Sequence, residues 1–369
     1  MRVVLHPDGD NLGSVLQART ARPTGHDPYV ESAVMLRGQR VPLAANFTAG
    51  YGVWLARANF NRQSLRSLLG REGGIDRPHV YLMQPYDPNR RIIVMLHGLA
   101  SSPEAWVELA NEILGDEALR QHYQIWQVYY PTNMPVALNH AMIRRALGET
   151  LTHFDPSGQA PASSDLVLVG HSMGGVIARL MVSSTDQSLV QLAADHSRLT
   201  PQQIRRIDPM LRFEPFPNVS SAIFIAAPHR GTSVAGGRLG RWMAGFIRFP
   251  ITVLEELAHT LAPNAAASSR ESLATIPNSV NNLDENDPFV RTAAGFPISS
   301  QVRYHSIVAQ ANSEVALDDS DDGLVPYRSA HLPGAQSEKV IISGHSVQQS
   351  AAAILEIQRI LREDMALRE

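Results

Sequence analysis

A serine between two glycines lies where an apolar run of the sequence meets a helical pattern. Residues 165–183 read DLVLVGHSMGGVIARLMVS, in which residues 166–169 are typical of a strand buried on both faces. A G-x-S-x-G segment in this context predicts a sharp strand-to-helix turn, with Ser172 in a strained backbone conformation. Gly170 and Gly174 would avoid a clash across the turn. Ser172 is therefore the candidate nucleophile, with its hydroxyl held above the sheet.

A serine hydroxyl is a weak nucleophile at neutral pH and needs a base, which an acid must orient. Among the histidines after Ser172, only His345 directly follows the last predicted strand and precedes the last predicted helix. The main rival is His229, which follows an apolar run but precedes every plausible acid and so reverses the order serine, acid, histidine. The remaining candidates lack a comparable context: His196, His259, His305 and His331.

The candidate acid lies in residues 318–326, which read DDSDDGLVP. Four carboxylates this close cannot all be buried, so most must be solvated. Asp322 precedes a glycine and two apolar residues and is best placed to turn inward, with Asp321 and Asp319 as alternatives. The stretch half-matches a calcium-binding loop, but the twelfth position is Ser329 rather than glutamate. We therefore predict no metal site.

Two backbone N–H groups are candidates to stabilise an oxyanion. The N–H of Met173 lies at the start of the helix after the serine. The second donor should follow an early central strand, and HGL follows the apolar run 92–96. Gly98 allows the backbone to bend, so that the Leu99 N–H is the expected donor. His97 is expected to be structural.

From residue 91 onward, apolar runs alternate with amphipathic stretches, which predicts an α/β fold with a mostly parallel sheet and helices on both faces. A helix should begin at Ser102-Pro103, and another should cover about 136–150. The predicted strands are 92–96, 125–130, 166–169, 222–226, 302–309 and 340–342, and the last helix carries Val347, Ala351, Ile354, Ile357 and Leu361 on one face.

Residues 1–90 are less regular, with strands predicted at 30–36 and 79–84 and a short helix at 64–69. We interpret them as an N-terminal lead-in that forms edge strands, and residues 91–369 as the core. Two insertions interrupt the core at about 185–219, where Thr200-Pro201 is a helix start, and at 230–300.

The second insertion contains a strongly apolar segment at 240–261, which predicts two short helices with a break at Pro250. The segment is either a cap over the carboxyl ends of the strands, where open α/β sheets bind ligands, or the buried core of the insertion. As a cap, it would line the substrate site with Trp242, Met243, Phe246 and Ile247.

Composition excludes several classes of function. A net charge of −3 gives no reason to expect nucleic acid or an anionic membrane as a partner. The absence of cysteine excludes a disulfide, a thiol nucleophile and a cysteine-type metal site. No apolar stretch reaches the ~18 residues of a membrane-spanning helix, and the first apolar run is too short for a signal peptide. The chain is expected to be either cytosolic or a mature exported form.

Four motifs in order resemble the α/β-hydrolase superfamily, specifically its bacterial lipase and esterase branch. They are HGL at 97–99, GHSMGG at 170–175, DDGLVP at 321–326 and GH at 344–345, and APHRGT at 227–232 is similar to a stretch in lipase-like hydrolases. The resemblance covers roughly residues 80–360. There is no cysteine pair like that of some secreted lipases, and the calcium ligands of such enzymes have no counterpart here.

The resemblance implies an α/β-hydrolase fold with a helical cap and a serine carboxylester hydrolase that needs no cofactor. It assigns Ser172 as nucleophile, Asp322 as acid and His345 as base, with Leu99 and Met173 as oxyanion donors. The implied partner is a small-molecule or lipid ester. Thioesterase, amidase and acyltransferase activities use the same machinery, and a non-catalytic binding module on this fold is the alternative from another class.

Overall fold

The apolar runs form the strands of one large sheet. A computed structural model describes residues 2–58, 77–186, 188–196, 200–233 and 279–367. The strands are β1 Arg2–Pro7, β2 Ala21–His26, β3 Ala33–Leu36, β4 Gln39–Pro42, β5 His79–Leu82, β6 Arg91–Leu96, β7 Tyr123–Tyr129, β8 Leu166–His171, β9 Val219–Ile225, β10 Arg303–Gln310 and β11 Ser337–Ile342.

Helices connect these strands and occupy part of the predicted insertions. They are α1 Leu12–Leu16, α2 Ala49–Ala58, α3 Val107–Gly115, α4 Glu117–His122, α5 Val136–Phe154, α6 Pro161–Ser164, α7 Met173–Met181, α8 Ser188–His196, α9 Pro201–Leu211, α10 Ser279–Asn282, α11 Pro288–Ala294, α12 Tyr327–Ala330 and α13 Ala351–Ala366. Single 3-10 turns cover Pro103–Trp106, Leu317–Asp319 and Val347–Gln349. No helix in the part of the chain that the structure describes is both long and apolar enough to cross a membrane.

Seven strands form the large sheet in the order β11-β10-β9-β8-β6-β7-β5. Edge strand β5 runs antiparallel to β7, and each of the other neighbouring pairs is parallel. This topology confirms the predicted mostly parallel sheet. Because the carboxyl ends of the six parallel strands meet at one edge, the loops after β6, β8, β10 and β11 are brought to the same side.

Alternation along the central strands explains why helices cover both faces. In β6, Val94 and Leu96 belong to one apolar cluster and Ile93 and Met95 to the other. The first cluster includes the inner faces of α5 and α7, and the second includes those of α3 and α13. Since each face buries a full set of apolar side chains, the strands read as continuous apolar runs.

The strands before residue 58 pair among themselves. β1 with β2 and β3 with β4 form two separate antiparallel pairs, and of the strands described within residues 1–90 only β5, at His79–Leu82, joins the large sheet. The β3–β4 turn has positive φ at both Arg37 and Gly38, which is the backbone of a two-residue hairpin. The division into lead-in and core stays a prediction, and the helix predicted at 64–69 lies outside the described residues.

Both predicted start positions begin a helical segment, a 3-10 turn at Pro103 and α9 at Pro201, and one helix face differs from the prediction. Pro103 begins the turn after the Ser102 cap, and the Thr200 side chain caps α9 with Pro201 at its first position. The C-terminal helix begins at Ala351, because the Ser350 hydroxyl accepts from the Ala353 N–H at 3.2 Å. Ala351 is therefore exposed rather than on the apolar face, whereas Val347 is buried from within the preceding 3-10 turn.

A cluster of charges around the buried Asp364 joins the amino ends of the strands to α13. Asp364 of α13 pairs with Arg91 of β6 and with Arg303 of β10. The Tyr123 hydroxyl donates to Asp364 at 3.2 Å and accepts from Arg91 at 2.7 Å. Because these contacts tie three strand starts to one helix, the end of the sheet opposite the loops of interest is rigidly held.

Candidate active site

Ser172 occupies a strained turn between β8 and α7, as the sequence predicts. Its φ is 54° and its ψ −125°, a region that residues with a Cβ rarely adopt. The Ser172 N–H donates to the Ile225 carbonyl of β9 at 2.9 Å, so the neighbouring strand holds the turn in place. The backbone is thus overdetermined by its surroundings, which is the condition for such strain to persist.

The glycines around Ser172 are required by three different neighbours. A Cβ on Gly170 would lie 2.4 Å from the Gly174 carbonyl oxygen, so this glycine does prevent a clash across the turn. A Cβ on Gly174 would instead lie 2.2 Å from the Leu96 carbonyl oxygen, and one on Gly175 2.5 Å from the Ala227 Cβ. The requirement at Gly174 therefore comes from β6, where the sequence suggested the turn alone.

Three side chains from distant parts of the sequence form one hydrogen-bonded chain. His345 Nδ1 lies 2.8 Å from Asp322 Oδ2, and His345 Nε2 lies 2.8 Å from Ser172 Oγ. A carboxylate only accepts, so the proton of the neutral imidazole resides on Nδ1. Nε2 is then an acceptor for the Ser172 O–H. The structure thus brings together the three residues that the motifs indicated.

Asp322 is oriented by the backbone of its own loop. Its Oδ1 accepts from the N–H groups of Leu324 at 2.9 Å and Val325 at 2.7 Å, which leaves Oδ2 directed to His345. The residue is 4% exposed, whereas Asp319 and Asp321 are exposed. Asp321 instead accepts from the Gly323 N–H. Of the three candidate acids, only Asp322 contacts His345 among the described residues.

The loop after β6 lies against Ser172. A Cβ on Gly98 would be 3.0 Å from the Ser172 Cβ and 3.1 Å from His171 Nδ1. In the part of the chain described by the structure, neither the Leu99 nor the Met173 N–H donates a hydrogen bond. Both predicted donors therefore belong to segments that border Ser172, and among the described residues their N–H groups have no acceptor.

His97 is buried and packs against the loop after β6, in agreement with its expected structural role. Its ring stacks on Tyr130 with centroids 4.4 Å apart, and the Tyr130 hydroxyl donates to the His97 carbonyl. Burial lowers the pKa of His97 to about 4. The neutral ring donates from Nδ1 to the Gly98 carbonyl at 3.0 Å and so constrains the bend before Leu99.

His171 is a neighbour of the site that the sequence analysis did not single out. It is buried, and its Nε2 lies 2.8 Å from the His345 carbonyl oxygen. Its ring centroid is 5.0 Å from that of His345. The signal available in the sequence was its position directly before Ser172, which forces it to lie at the carboxyl end of β8.

His229, the rival base, has no hydrogen bond to Ser172 and is buried against the ring of Phe224. Burial and the nearby charges of Arg179 and Arg230 lower the pKa of His229 well below its usual range. Its backbone N–H donates to the Ser329 carbonyl at 3.1 Å, which ties the APHRGT stretch to the segment that follows Asp322.

Five histidines that are buried among the described residues predict an acid-sensitive fold. Burial lowers the pKa of His140 to about 3 and of His171 to about 3, and the pKa of His97, His229 and His305 likewise falls. In the unfolded chain a histidine pKa is about 6.5. Their stabilising contribution is therefore present above about pH 6.5 and lost as the pH falls toward the folded-state pKa values, at up to about 1.4 kcal/mol per pH unit for each histidine.

Urea unfolding measured from pH 7 to pH 4 should show this loss as a steep fall in the free energy of unfolding. Replacing His140 with Leu should reduce the slope by about one proton, because one fewer imidazole takes up a proton on unfolding. The exposed His153→Leu is the matched control. An unchanged slope in His140→Leu would contradict the assignment.

The remaining site predictions concern ligands and the cap. No three His, Asp or Glu side chains in the described ranges converge into a group that could hold a metal ion. The segment 240–261 lies outside the described residues, and with it Trp242, Met243, Phe246 and Ile247.

Comparisons with known proteins match one family by sequence and several solved structures at low identity. The mature form of the Bacillus licheniformis lipase BlEst2 is 18% identical, with a TM-score of 0.45 over 77% of this chain and 98% of that one. The Staphylococcus hyicus lipase is 13% identical, with a TM-score of 0.45 over the same shares. An esterase of a marine microorganism is 15% identical, with a TM-score of 0.37 over 78% of this chain and 99% of that one.

A search of curated proteins finds no match. The family model described as "Alpha/beta hydrolase family" matches residues 93–357, which is more than half of the chain and spans Ser172, Asp322 and His345. The strand order, the strained serine turn and this match agree, and the chain belongs to the alpha/beta hydrolase family.

Proposed function

We propose that this protein is a serine hydrolase that cleaves carboxylic esters through an acyl-enzyme. The observation that carries the proposal is the continuous chain from Ser172 Oγ through His345 to Asp322, with both hydrogen bonds at 2.8 Å. These distances are within the reach required for proton transfer from a nucleophile to its base. The strained turn that presents Ser172 is a second, independent support.

In the proposed reaction, Ser172 Oγ attacks the ester carbonyl carbon while His345 Nε2 takes the hydroxyl proton. Asp322 stabilises the imidazolium that results. The tetrahedral intermediate then collapses, and the imidazolium returns the proton to the leaving alcohol oxygen. Water repeats the sequence on the acyl-serine, with His345 again as the base, and releases the acid and free Ser172.

The negative oxygen of each tetrahedral intermediate would be stabilised by the N–H groups of Leu99 and Met173. The Met173 N–H is at the start of α7, where the helix dipole favours a negative charge. The proximity of Gly98 to Ser172, and the free state of both N–H groups among the described residues, support this assignment. Such donors typically contribute about 10²–10³-fold to kcat.

A fluorophosphonate probe tests the proposed function directly. We expect one equivalent of probe per chain, attached at Ser172, together with hydrolysis of short p-nitrophenyl esters. A parallel series of matched ester, thioester and amide substrates decides between carboxylester hydrolysis and the alternatives that use the same machinery. Labelling at another residue, or no labelling of an active protein, would refute the assignment of Ser172.

Replacing Gly98 with Ala should lower kcat by about 10–100-fold. The added Cβ would lie 3.0 Å from the Ser172 Cβ, so the loop must move, and displacements of about 1 Å can cost about 100-fold. Steady-state kinetics on a short ester measure the effect. Gly148→Ala is the matched control, because its Cβ would meet nothing within 4 Å and an alanine favours a helix. Equal kcat values for the two variants would argue against a role for this loop.

We further propose that Trp242, Met243, Phe246 and Ile247 contact the acyl chain of the substrate. Each substrate methylene that is buried against apolar side chains contributes about 0.8 kcal/mol to binding. Removing one of these side chains should therefore lower kcat/KM for long acyl esters more than for short ones. Phe246→Ala is expected to lower the ratio of kcat/KM for long over short acyl esters and to leave the short-ester rate nearly unchanged. A lower melting temperature with an unchanged ratio would instead indicate that the segment is the buried core of the insertion.

A further inference from the structure

We propose that His171 is a positioning residue, whose imidazole holds the backbone of His345 and limits the approach of the Gly98 loop, so that base and oxyanion donors keep their places beside Ser172. The proposal rests on the proposed function and deepens it. It assigns a role to a side chain whose hydrogen bond goes to the backbone of the proposed base and to none of the predicted reacting atoms.

The contact with the base loop is a directed hydrogen bond. His171 Nε2 lies 2.8 Å from the His345 carbonyl oxygen, and a carbonyl only accepts. Nε2 therefore carries the proton, and His171 is the donor. The two rings also lie side by side, with centroids 5.0 Å apart and planes inclined by 47°. Both the backbone and the ring of His345 are thus in contact with one side chain.

The other edge of His171 faces the loop of the proposed oxyanion donor. A Cβ on Gly98 would lie 3.1 Å from His171 Nδ1, closer than ordinary van der Waals contact. Nδ1 is buried and has no hydrogen-bond partner among the described residues. Since His171 pairs in register with Ile225 of β9, its backbone is part of the central sheet. The ring therefore lies between the Gly98 loop and the His345 loop, and its own backbone is held in the central sheet.

The geometry of the sheet explains why such a support is needed. His345 follows β11, the outermost strand, which is separated from β8 by β9 and β10. At about 4.8 Å per strand, the base comes from a strand about 14 Å away from the nucleophile. A small change in the twist of the sheet at β11 would move His345 relative to Ser172. The hydrogen bond from His171 ties the His345 loop directly to the end of β8, next to Ser172.

The state of His171 suits this role. Burial and the neighbouring His345 lower the pKa of His171 to about 3. The ring therefore remains a neutral donor at neutral and mildly acidic pH. It holds the backbone of the base without adding a positive charge that would oppose the imidazolium.

Two substitutions separate positioning from simple packing. His171→Leu keeps most of the apolar volume but removes the donor, and we expect kcat to fall about 30–100-fold with little change in KM. His171→Gln offers an amide N–H near the position of Nε2 and should recover at least about tenfold of that loss. His140→Leu is the matched control, because this buried ring has no hydrogen-bond partner among the described residues and belongs to α5. Its kcat should equal that of the unmodified protein.

The pH profile supplies a readout that packing alone would not change. In His171→Leu, His345 should lose part of its contact with Asp322, so the acid limb of kcat/KM should move to lower pH and return in His171→Gln. If Leu and Gln variants lose activity equally, or if only the melting temperature falls while kcat and the acid limb are unchanged, the proposal is overturned.

A measurement without turnover keeps this proposal separate from the proposed function. NMR titration of the His345 imidazole in Ser172→Ala protein, with and without His171→Leu, reports the position of the base directly. We expect a lower titration midpoint for His345 when His171 is leucine, whatever substrate the enzyme uses. An identical midpoint in the two proteins overturns the role of His171, whereas full esterase activity of Ser172→Ala overturns the proposed function.

Discussion

Replacing Ser172 with Ala should lower kcat for ester hydrolysis by at least about 10³-fold, as it does when a nucleophile acts as one unit with its base and acid. Alanine retains the Cβ, so the strained backbone at φ 54° is kept and only the hydroxyl is lost. The measurement is the steady-state rate on a short p-nitrophenyl ester, with circular dichroism to verify the fold.

A matched control is Ser164→Ala, which removes an exposed hydroxyl that donates to the Pro161 carbonyl. It should keep the full rate. If Ser172→Ala hydrolysed esters as fast as this control, another residue would have to be the nucleophile. The hydrogen bond between Ser172 and His345 would then need a different explanation.

Replacing Asp322 with Asn should lower kcat by about 10⁴-fold, with a fold that is nearly unchanged. The N–H groups of Leu324 and Val325 both donate to Oδ1, so the amide oxygen of asparagine must take that position. Its NH2 group then faces His345 Nδ1 and makes that nitrogen an acceptor. The imidazole proton moves to Nε2, which can no longer accept the Ser172 proton.

Asp321→Asn is the matched control, because this exposed carboxylate contacts only the Gly323 N–H among the described residues. We expect its kcat to stay within about threefold of the unmodified protein, because this carboxylate does not contact His345 and most surface substitutions change stability by less than about 0.5 kcal/mol. A severe defect in Asp321→Asn or Asp319→Asn, together with an active Asp322→Asn, would show that the acid had been assigned to the wrong carboxylate.

Local patterns in the sequence were sufficient to predict the strand and the helix on either side of Ser172. The apolar run before Gly170 and the helical spacing after it predict β8 and α7, because each depends only on residues within one turn or strand. The strained angles of Ser172 follow from the same short segment. The start signals at Ser102-Pro103 and Thr200-Pro201 are likewise local: the first begins a 3-10 turn that leads into α3, and the second begins α9 with a Thr200 cap.

Some local patterns were insufficient, because their outcome depended on partners elsewhere in the chain. Among the described strands, the predicted strand at 30–36 pairs, as β3, with β4 alone, because its own turn closes a hairpin before it can reach the large sheet. Ala351 has the spacing of the apolar face, but the Ser350 cap starts the helix there and leaves the residue exposed. In both places, a hydrogen bond between residues close in the sequence decides the local structure, and the spacing of apolar residues does not.

By itself, the sequence determined the α/β fold class, the strained turn at Ser172 and a short set of candidate acids and bases. Only the tertiary structure decided which of the candidate acids and bases contact each other and Ser172. Asp322 differs from Asp321 by one position, and it is the burial of its loop that directs one carboxylate inward and the other to solvent. The requirement for Gly174 comes from the Leu96 carbonyl, and the contact of His171 with His345 joins residues 174 positions apart. These relations depend on the order of strands in the sheet, which residue spacing along the chain does not encode.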